Sequence, residues 1–279
     1  MKSLYLECNA GISGDMLVAA LLDIGADKET LDKALKSIPD AGFNYKISRV
    51  QKAGVECCDF DVILDSEHEN HDHDMTFLHG HSDTDAQACE HHVHHEHHHH
   101  HEHRGLKEII KIIAAVSMSD KARSLALKIF DILADAEGKA HAVSKEKVHF
   151  HEVGAIDSIV DIVAIAVCVD SLGIENVIVP ELCEGKGTVR CQHGVLPVPV
   201  PATANIMQKY GFNVHLLPVQ GEFVTPTGAA AAAALMTSDK LPEKFKLLAV
   251  GLGAGKRCYE HPSILRIMLI EHEAQKKTL

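Results

Sequence analysis

The chain has 279 residues, of which 46% are hydrophobic and 24% charged, enough to bury one large core or two modest ones. That composition argues against disorder along the whole length and against a collagen or coiled-coil architecture. The net charge of −12 comes mainly from residues 67–103, which hold nine Asp or Glu and 15 of the 22 histidines. Without those nine acids the net charge rises to −3, so the remainder offers no basic surface for a nucleic-acid backbone and we expect no nucleic-acid partner.

The apolar segments are too short to cross a bilayer, since the longest, residues 159–169, is brief and contains Asp161. The first seven residues reach an acidic side chain before any apolar signal region develops. We therefore expect no secretory signal, no membrane partner and a cytoplasmic location. Eight cysteines occur without a CxxC pair, which argues against a zinc ribbon or a disulfide framework, and we expect most of them to be buried.

Residues 1–65 are predicted to form a small N-terminal α/β unit. Its strands and helices, in chain order, are strand 3–7, helix 16–24, helix 28–37, strand 45–50 and strand 58–64. Residues 66–104 have almost no apolar content, no periodicity and a run of five histidines. We interpret them as a disordered histidine-rich loop, inserted between folded parts, that binds divalent metal ions.

Residues 105–271 are predicted to form the main α/β unit. The predicted elements are helices 106–116 and 119–138, a strand at 148–151, an apolar segment at 156–172, extended segments at 176–180 and 187–191, helices 201–210 and 226–236, and strands 247–252 and 264–270. The alternation predicts a mixed layered α/β fold. The alanine-rich face of 229–234 fits either an internal helix contact or a subunit contact.

The histidine block itself predicts metal binding. Imidazole suits divalent ions such as nickel, copper and zinc, and the interspersed acids supply charge and hydrogen-bond acceptors. Such a tract binds metals without fixed geometry, so we interpret it as a storage or capture segment and not as the site of catalysis.

A second candidate is the sequence HFHEVGAIDSIVD at residues 149–161. Two imidazoles and three carboxylates in an apolar segment need a cation or mutual hydrogen bonds to offset their burial. A strand would place 149 and 151 on one face, and a helix would place 157 and 161 on one face. We favour metal or substrate binding over a structural cluster with a helix-capping Asp. The candidate ligands are His149, His151, Glu152, Asp157 and Asp161.

Two further segments could hold an anion at a helix N-terminus. Residues 11–15, GISGD, combine flexible backbone with a hydroxyl, and residues 225–228, TPTG, place proline near the first helical position. Each is equally consistent with ordinary helix capping. Asp15 would be either a metal ligand or a partner of the helix dipole.

Residues 185–201 form a turn with Lys186 and His193, followed by an extended segment with proline at alternate positions. That rigidity would hold His193 in place, as either a functional or a structural residue. The sequence GLGAGK at 251–256 is not a Walker loop, because its spacing is GxxxGK and the next residue is Arg257. Its glycines predict a tight bend or the close approach of a ligand.

Five motifs occur together in order and cover nearly the whole chain. They are AGISGDM at 10–16, HFHEVGAIDSIVDIV at 149–163, HGVLPVPVPAT at 193–203, GEFVTPTG at 221–228 and VGLGAGK at 250–256. In this combination, with a histidine-rich segment between the first two, the chain resembles the LarC nickel-insertion family.

The resemblance implies a nickel chelatase of the lyase class. Its substrate would be pyridinium-3,5-bisthiocarboxylate mononucleotide and its product the nickel-pincer nucleotide cofactor, accepted by lactate racemase-type apo-enzymes. The family uses CTP with Mg²⁺ or Mn²⁺ and has a C-terminal CTP-binding domain. That domain is absent from these 279 residues, so we expect a C-terminal part of the same enzyme as a partner, and a homo-oligomer.

Metallation of the substrate expels a ring proton, so a base is required. The candidate bases are His151, Glu152 and His193. The proposed metal ligands are His149, His151 and Glu152, supported by Asp15, Asp157 and Asp161. The proposed substrate contacts are Ser13, Gly14, Lys186, Glu222, Thr225 and Thr227. The alternatives are a non-enzymatic nickel storage protein or metallochaperone, and a metal-dependent phosphohydrolase that uses the same carboxylates.

Overall fold

A computed structural model of the chain describes residues 1–39, 42–65, 104–150, 156–191 and 193–273. Residues 66–103 of the predicted histidine-rich loop lie outside the described residues, as do His151 and Glu152. The helices are α1 (Gly14–Asp23), α2 (Lys28–Lys36), α3 (Leu106–Ala115), α4 (Asp120–Ala140), α5 (Ile156–Ser171), α6 (Pro201–Tyr210) and α7 (Pro226–Leu235), with a 3₁₀ turn at Lys145–Lys147. The strands are β1 (Lys2–Glu7), β2 (Phe43–Lys52), β3 (Val55–Leu64), β4 (Arg104–Gly105), β5 (His149–Phe150), β6 (Val177–Ile178), β7 (Leu182–Lys186), β8 (Thr188–Cys191), β9 (Gly194–Pro197), β10 (Val214–Gln220), β11 (Lys246–Ala254) and β12 (Ile264–Glu271).

The main sheet has six strands in the order β2-β3-β11-β12-β1-β6. The pairs β2–β3, β11–β12 and β1–β12 are antiparallel, whereas β1–β6 and β3–β11 are parallel. Two-stranded sheets pair β7 with β10, β4 with β5 and β8 with β9. Helices and a mixed sheet occur together, which confirms the predicted mixed α/β class.

Helix α1 lies directly on the sheet because two glycines of β11 leave room for its backbone. A Cβ added at Gly253 would lie 2.0 Å from the carbonyl oxygen of Met16, and one at Gly251 would lie 2.3 Å from that of Ala20. Gly251 and Gly253 of the GLGAGK motif thus serve helix–sheet packing, and the close approach they allow is to a helix backbone.

The hydrophobic core extends from the contact between α1 and the main sheet through α5 to α4. Helix α1 contacts β3, β11 and β12 on one side and α5 on the other, and α5 in turn packs against α4. Helix α5 is apolar almost all round, with eleven buried residues, as expected for a helix enclosed on several sides. In the described part of the chain no helix is both long and apolar enough to cross a membrane.

The alanine-rich face of α7 is an internal packing surface. All residues from Ala229 to Ala234 are buried, and the helix contacts α4 and α6. The small side chains let these helices approach closely. The seven cysteines in the described residues are free thiols and five of them are buried, which confirms the expectation for most of the cysteines.

Sequence patterns predicted six of the seven helices in the described residues and identified the seventh, α5, as an apolar segment, whereas several strand assignments need correction. Strands β4, β7 and β10 were not predicted, and β6, β8 and β9 were described only as extended. Strand β10 contains Pro218, which lowers strand propensity, and β7 contains Gly185, which weakens a period-two pattern. Both belong to a short two-stranded sheet, where pairing and not hydrophobic alternation defines the strand.

Candidate active site

The two segments predicted to hold an anion, residues 11–15 and 225–228, lie next to each other. The backbone N–H of Ile12 donates to the carbonyl of Phe223 at 3.0 Å, and that of Thr225 donates to the carbonyl of Ile12 at 3.1 Å. Gly11 has φ +79°, and a Cβ there would lie 2.0 Å from the Phe223 carbonyl oxygen, so this close pairing requires glycine. The pairing sets the first turns of α1 and α7 side by side.

A cavity of about 650 Å³ opens at these helix ends, a volume typical of small-molecule sites. The first residues of four helices line it: Ser13 and Gly14 for α1, Asp157 and Ser158 for α5, Pro201 and Ala202 for α6, and Thr225 to Thr227 for α7. Helix N-termini present unpaired N–H groups and partial positive charge. Their convergence favours a ligand that carries negative charge.

Three carboxylates, from Asp15, Asp157 and Asp161, line the same cavity. Within the described residues, Asp15 Oδ2 and Asp161 Oδ1 are buried without a hydrogen-bond partner. Burial and the negative charges of Asp15 and Asp157 raise the pKa of Asp161 well above its usual range. Buried, unsatisfied carboxylate oxygens that repel one another are costly unless a cation or a proton neutralises them.

Two of these acids also have structural contacts. Asp157 Oδ1 accepts the Ser158 N–H at 2.8 Å in the first turn of α5. Ser13 donates its hydroxyl to Asp15 Oδ1 and makes no capping hydrogen bond with its side chain. Gly14 abuts the Asp161 carboxylate, because an added Cβ would lie 2.4 Å from its Oδ2.

The predicted imidazole ligands lie at the end of the described segment 104–150 or just beyond it. His149 is described only as backbone in β5, and residues 151–155 lie outside the described residues. Among the residues that are described, no group of three or more His, Cys, Asp or Glu side chains forms a ready metal site. The assignment of His149, His151 and Glu152 as metal ligands therefore stays a prediction.

Of the predicted substrate contacts, five line the cavity: Ser13, Gly14, Glu222, Thr225 and Thr227. Thr225 Oγ1 accepts the Gly228 N–H at 3.1 Å, so its hydroxyl caps α7. Lys186 is exposed at the end of β7 and is not among the residues that line the cavity. His193 lines the cavity from the turn between β8 and β9.

Arg257 and Tyr259 hold the loop that carries Glu222. The Arg257 guanidinium pairs with the Glu222 carboxylate, and the Tyr259 hydroxyl donates to the Glu222 carbonyl at 3.0 Å. The Tyr259 ring also stacks on Phe223, with 4.6 Å between ring centroids. Arg257 and Tyr259 both line the cavity but were not predicted as site residues, because the interpretation of the surrounding sequence rested on its glycines alone.

Lys256 supplies a second cation to the cavity wall. Its Nζ lies 2.6 Å from Asp59 Oδ1 and 3.1 Å from Asp61 Oδ1. These pairings raise the pKa of Lys256 although burial opposes them, so the side chain stays charged. Asp59 and Asp61 alternate with apolar residues along β3, and that alternation is the only sequence signal for this contact.

Glu184 holds the 221–228 loop through hydrogen bonds to the loop backbone. Its Oε1 accepts the N–H groups of Gly185, Phe223 and Val224 at 2.8, 2.7 and 3.2 Å, and the residue is fully buried. Burial raises the pKa of Glu184 to about 8, reinforced by the charge of Glu222. A single Glu in the unpredicted strand β7 gave no pattern from which this role could be inferred.

Comparison with known proteins identifies relatives along the whole chain. A protein named pyridinium-3,5-bisthiocarboxylic acid mononucleotide nickel insertion protein from Alkaliphilus metalliredigens is 48% identical over 100% of this chain and 63% of its own length. Proteins of the same name from Clostridium acetobutylicum and Akkermansia muciniphila are 42% and 38% identical, over 98% and 99% of this chain and 65% and 62% of their own lengths.

The chain thus spans less than two thirds of these curated relatives. No solved structure matches it. The family model described as "Nickel insertion protein" matches residues 4–279. The chain belongs to the nickel insertion protein family.

Proposed function

We propose that this chain forms the metal- and substrate-binding part of an enzyme that inserts nickel into pyridinium-3,5-bisthiocarboxylic acid mononucleotide. The proposal rests on one observation: a single cavity combines groups that favour a cation with groups that favour an anion. Buried carboxylate oxygens of Asp15 and Asp161 favour a cation, and four helix N-termini favour an anion. The names of the relatives supply the identity of the cation and of the nucleotide.

The substrate has the chemistry that such a cavity needs. A nucleotide phosphate and two thiocarboxylates carry negative charge, which suits the first turns of α1 and α7 and the cations of Lys256 and Arg257. We assign the phosphate to the paired loops at 11–15 and 221–228. Glu222, Thr225 and Thr227 then contact the nucleotide, whereas Lys186 lies outside the cavity.

Nickel is a substrate of this reaction. We assign His149, His151 and Glu152 as its ligands, with Asp15, Asp157 and Asp161 supporting them or a second cation. Nitrogen and oxygen ligands release nickel to two sulfur donors and a ring carbon more readily than a set of thiolates would. Formation of the nickel–carbon bond breaks a ring C–H bond, and the proton passes to a base.

The base is chosen from three residues. His193 lines the cavity, and His151 and Glu152 follow β5 in the segment that the structure leaves undescribed. Histidine is the side chain that enzymes use most often for general acid–base catalysis, which favours a histidine over Glu152 in this role.

We further propose that turnover needs the part that the longer relatives have beyond this chain. In this scheme that C-terminal part binds CTP with Mg²⁺ or Mn²⁺, and the finished cofactor passes to a lactate racemase-type apo-enzyme. We also propose a cytoplasmic homo-oligomer, in which the histidine-rich segment at 66–104 captures nickel.

The test is nickel insertion followed by mass spectrometry of the nucleotide. The full chain is mixed with nickel, the mononucleotide, CTP, Mg²⁺ and the C-terminal part of a longer relative. We expect product with the wild type, none with Asp161→Asn, and wild-type yield with Asp131→Asn, an exposed control carboxylate on α4. Nickel binding without product in the wild type would refute the proposal and favour storage or a metallochaperone. Release of phosphate from nucleotides by this chain alone would favour a phosphohydrolase.

A further inference from the structure

Three Lys or Arg side chains line the cavity, and two of them are already paired with carboxylates. The Lys256 Nζ lies 2.6 Å from Asp59 Oδ1. The Arg257 guanidinium pairs with the Glu222 carboxylate. The third cation is Arg190, and within the ranges that the structure describes no ion pair or hydrogen bond involves its guanidinium. Arg190 therefore adds to the cavity wall a positive charge that no neighbouring carboxylate offsets.

The β8–β9 hairpin determines the direction in which the Arg190 side chain extends. Arg190 pairs with Val195 across the hairpin, and the adjacent Val189 pairs with Leu196. Val189 is buried in a small apolar cluster with Val200, against which Leu196 packs. Because side chains alternate along a strand, Arg190 projects from the opposite face of the hairpin. Arg190 is exposed and also lines the cavity, so it lies where the cavity opens to solvent.

The charge balance of the cavity gives an unpaired cation a specific consequence. Carboxylates outnumber cations among the described residues of the wall, since six acids line it: Asp15, Asp61, Glu137, Asp157, Asp161 and Glu222. A negatively charged ligand is repelled by ionised carboxylates, and helix N-termini offset that repulsion with partial charges only. The full charge of Arg190 is the one that can attract such a ligand without first leaving an internal partner.

An exposed arginine usually extends into solvent and has no further role. Arg190 differs from such a surface residue in its position, because it lies on the cavity wall three residues before His193, a candidate base on the same hairpin. A purely structural cation would be expected to pair with a nearby carboxylate, as Lys256 and Arg257 do. The arrangement fits a cation whose partner is the ligand.

We propose that Arg190 is a specificity-determining residue that binds an anionic group of the nucleotide at the mouth of the cavity. Its planar guanidinium can donate two parallel hydrogen bonds to a phosphate or to a thiocarboxylate. Arg190 binds and orients the substrate and takes no part in the transfer of the ring proton. The inference rests on the proposed function for the identity of the nucleotide.

The test is calorimetric binding of the mononucleotide to the full chain, in a chelator and without nickel. Metal binding by the histidine-rich segment then makes no contribution. The variants are Arg190→Gln, which removes the charge, and Arg190→Lys, which keeps the charge without the planar group. The control is Lys244→Gln, which removes an exposed cation outside the cavity. Circular dichroism and thermal unfolding verify that each variant is folded.

We expect Arg190→Gln to weaken binding of the mononucleotide by about tenfold or more, because a hydrogen bond between charged groups is lost. Arg190→Lys should recover part of this affinity, and Lys244→Gln should bind like the wild type. In the insertion assay, Arg190→Gln should raise the KM for the mononucleotide by a similar factor and leave kcat within about twofold. A merely structural role would not produce this difference between KM and kcat.

The same titration with the dephosphorylated nucleoside identifies the anionic group. If Arg190 binds the phosphate, the wild type and Arg190→Gln should bind the nucleoside equally. If Arg190 binds a thiocarboxylate, the difference between the two proteins should persist. Equal affinity of the wild type and Arg190→Gln for the mononucleotide would overturn the proposal, as would an equal loss of affinity in Lys244→Gln.

The role of Arg190 and the insertion activity can fail separately. Product formation by the wild type, together with unchanged affinity in Arg190→Gln, would refute the role of Arg190 alone. Binding of the mononucleotide that depends on Arg190, without nickel insertion in the complete mixture, would refute the insertion activity alone. A wild type that does not bind the mononucleotide would refute both.

Discussion

Glu184 offers a direct test of how the binding loop is held. Its Oε1 accepts three backbone N–H groups, two of them from the loop that carries Glu222 and Thr225. Glu184→Ala removes the acceptor and leaves these donors buried. At about 0.5–1.5 kcal/mol for each of the three hydrogen bonds, the free energy of unfolding should fall by roughly 1.5–4.5 kcal/mol.

Glu184→Gln separates the charge from the hydrogen bonds, because the amide oxygen can still accept. In the wild type, the pKa of Glu184 is about 8 in the folded state against 4.5 for the ordinary side chain. A raised acid pKa means that its contribution to stability is complete below pH 4.5 and is lost as the pH rises to about 8. The loss approaches about 1.4 kcal/mol per pH unit inside that window, and Glu184→Gln should not show it.

The assay is urea unfolding of the wild type and Glu184→Gln in a chelator at pH 5, 7 and 9. Other titrating groups are common to both proteins, so their effects cancel in the difference. We expect the glutamine variant to gain on the order of 1–3 kcal/mol relative to the wild type between pH 5 and pH 7, and little more above pH 8. A difference that stays constant from pH 5 to pH 9 would refute the assignment of a raised pKa to Glu184.

Two glycine substitutions test close contacts. Gly253→Ala should lower the free energy of unfolding by about 1–3 kcal/mol, because its Cβ meets the α1 backbone, whereas Gly105→Ala, with 3.9 Å to its nearest neighbour, should change it by under about 1 kcal/mol in the same urea titration. Equal losses would contradict the packing account. Gly14→Ala should displace the Asp161 carboxylate and weaken substrate-dependent nickel binding in calorimetry, and unchanged binding would argue against a role for that contact.

The sequence predicted the helices well because their apolar periodicity, caps and proline positions are local. Helix α7, for example, begins at Pro226 with Thr225 as its cap, as the TPTG pattern indicates. Strands β7 and β10 were missed because their definition depends on pairing between distant segments. Pro218 in β10 acted against the prediction locally, and nothing in the sequence near it identified its partner.

The candidate site was only partly predictable, for a related reason. The motifs that contain Asp15, Asp161 and Thr225 were recognised individually, and the structure shows that the loops at 11–15 and 221–228 pair. The cations Lys256 and Arg257 were not assigned, because their partners are nearly 200 and 35 residues away in the chain. The spacing of residues within a local motif does not reveal an ion pair with a distant part of the chain.

The most direct test of the central claim is calorimetric nickel binding at chelator-buffered nickel, with and without the mononucleotide. The wild type and Asp161→Asn share the same histidine-rich segment, so its binding contributes equally to both. We predict that the mononucleotide creates or strengthens a tight site in the wild type and not in Asp161→Asn. Equal nickel binding by the two proteins, unaffected by the nucleotide, would contradict a joint metal and nucleotide site in this cavity.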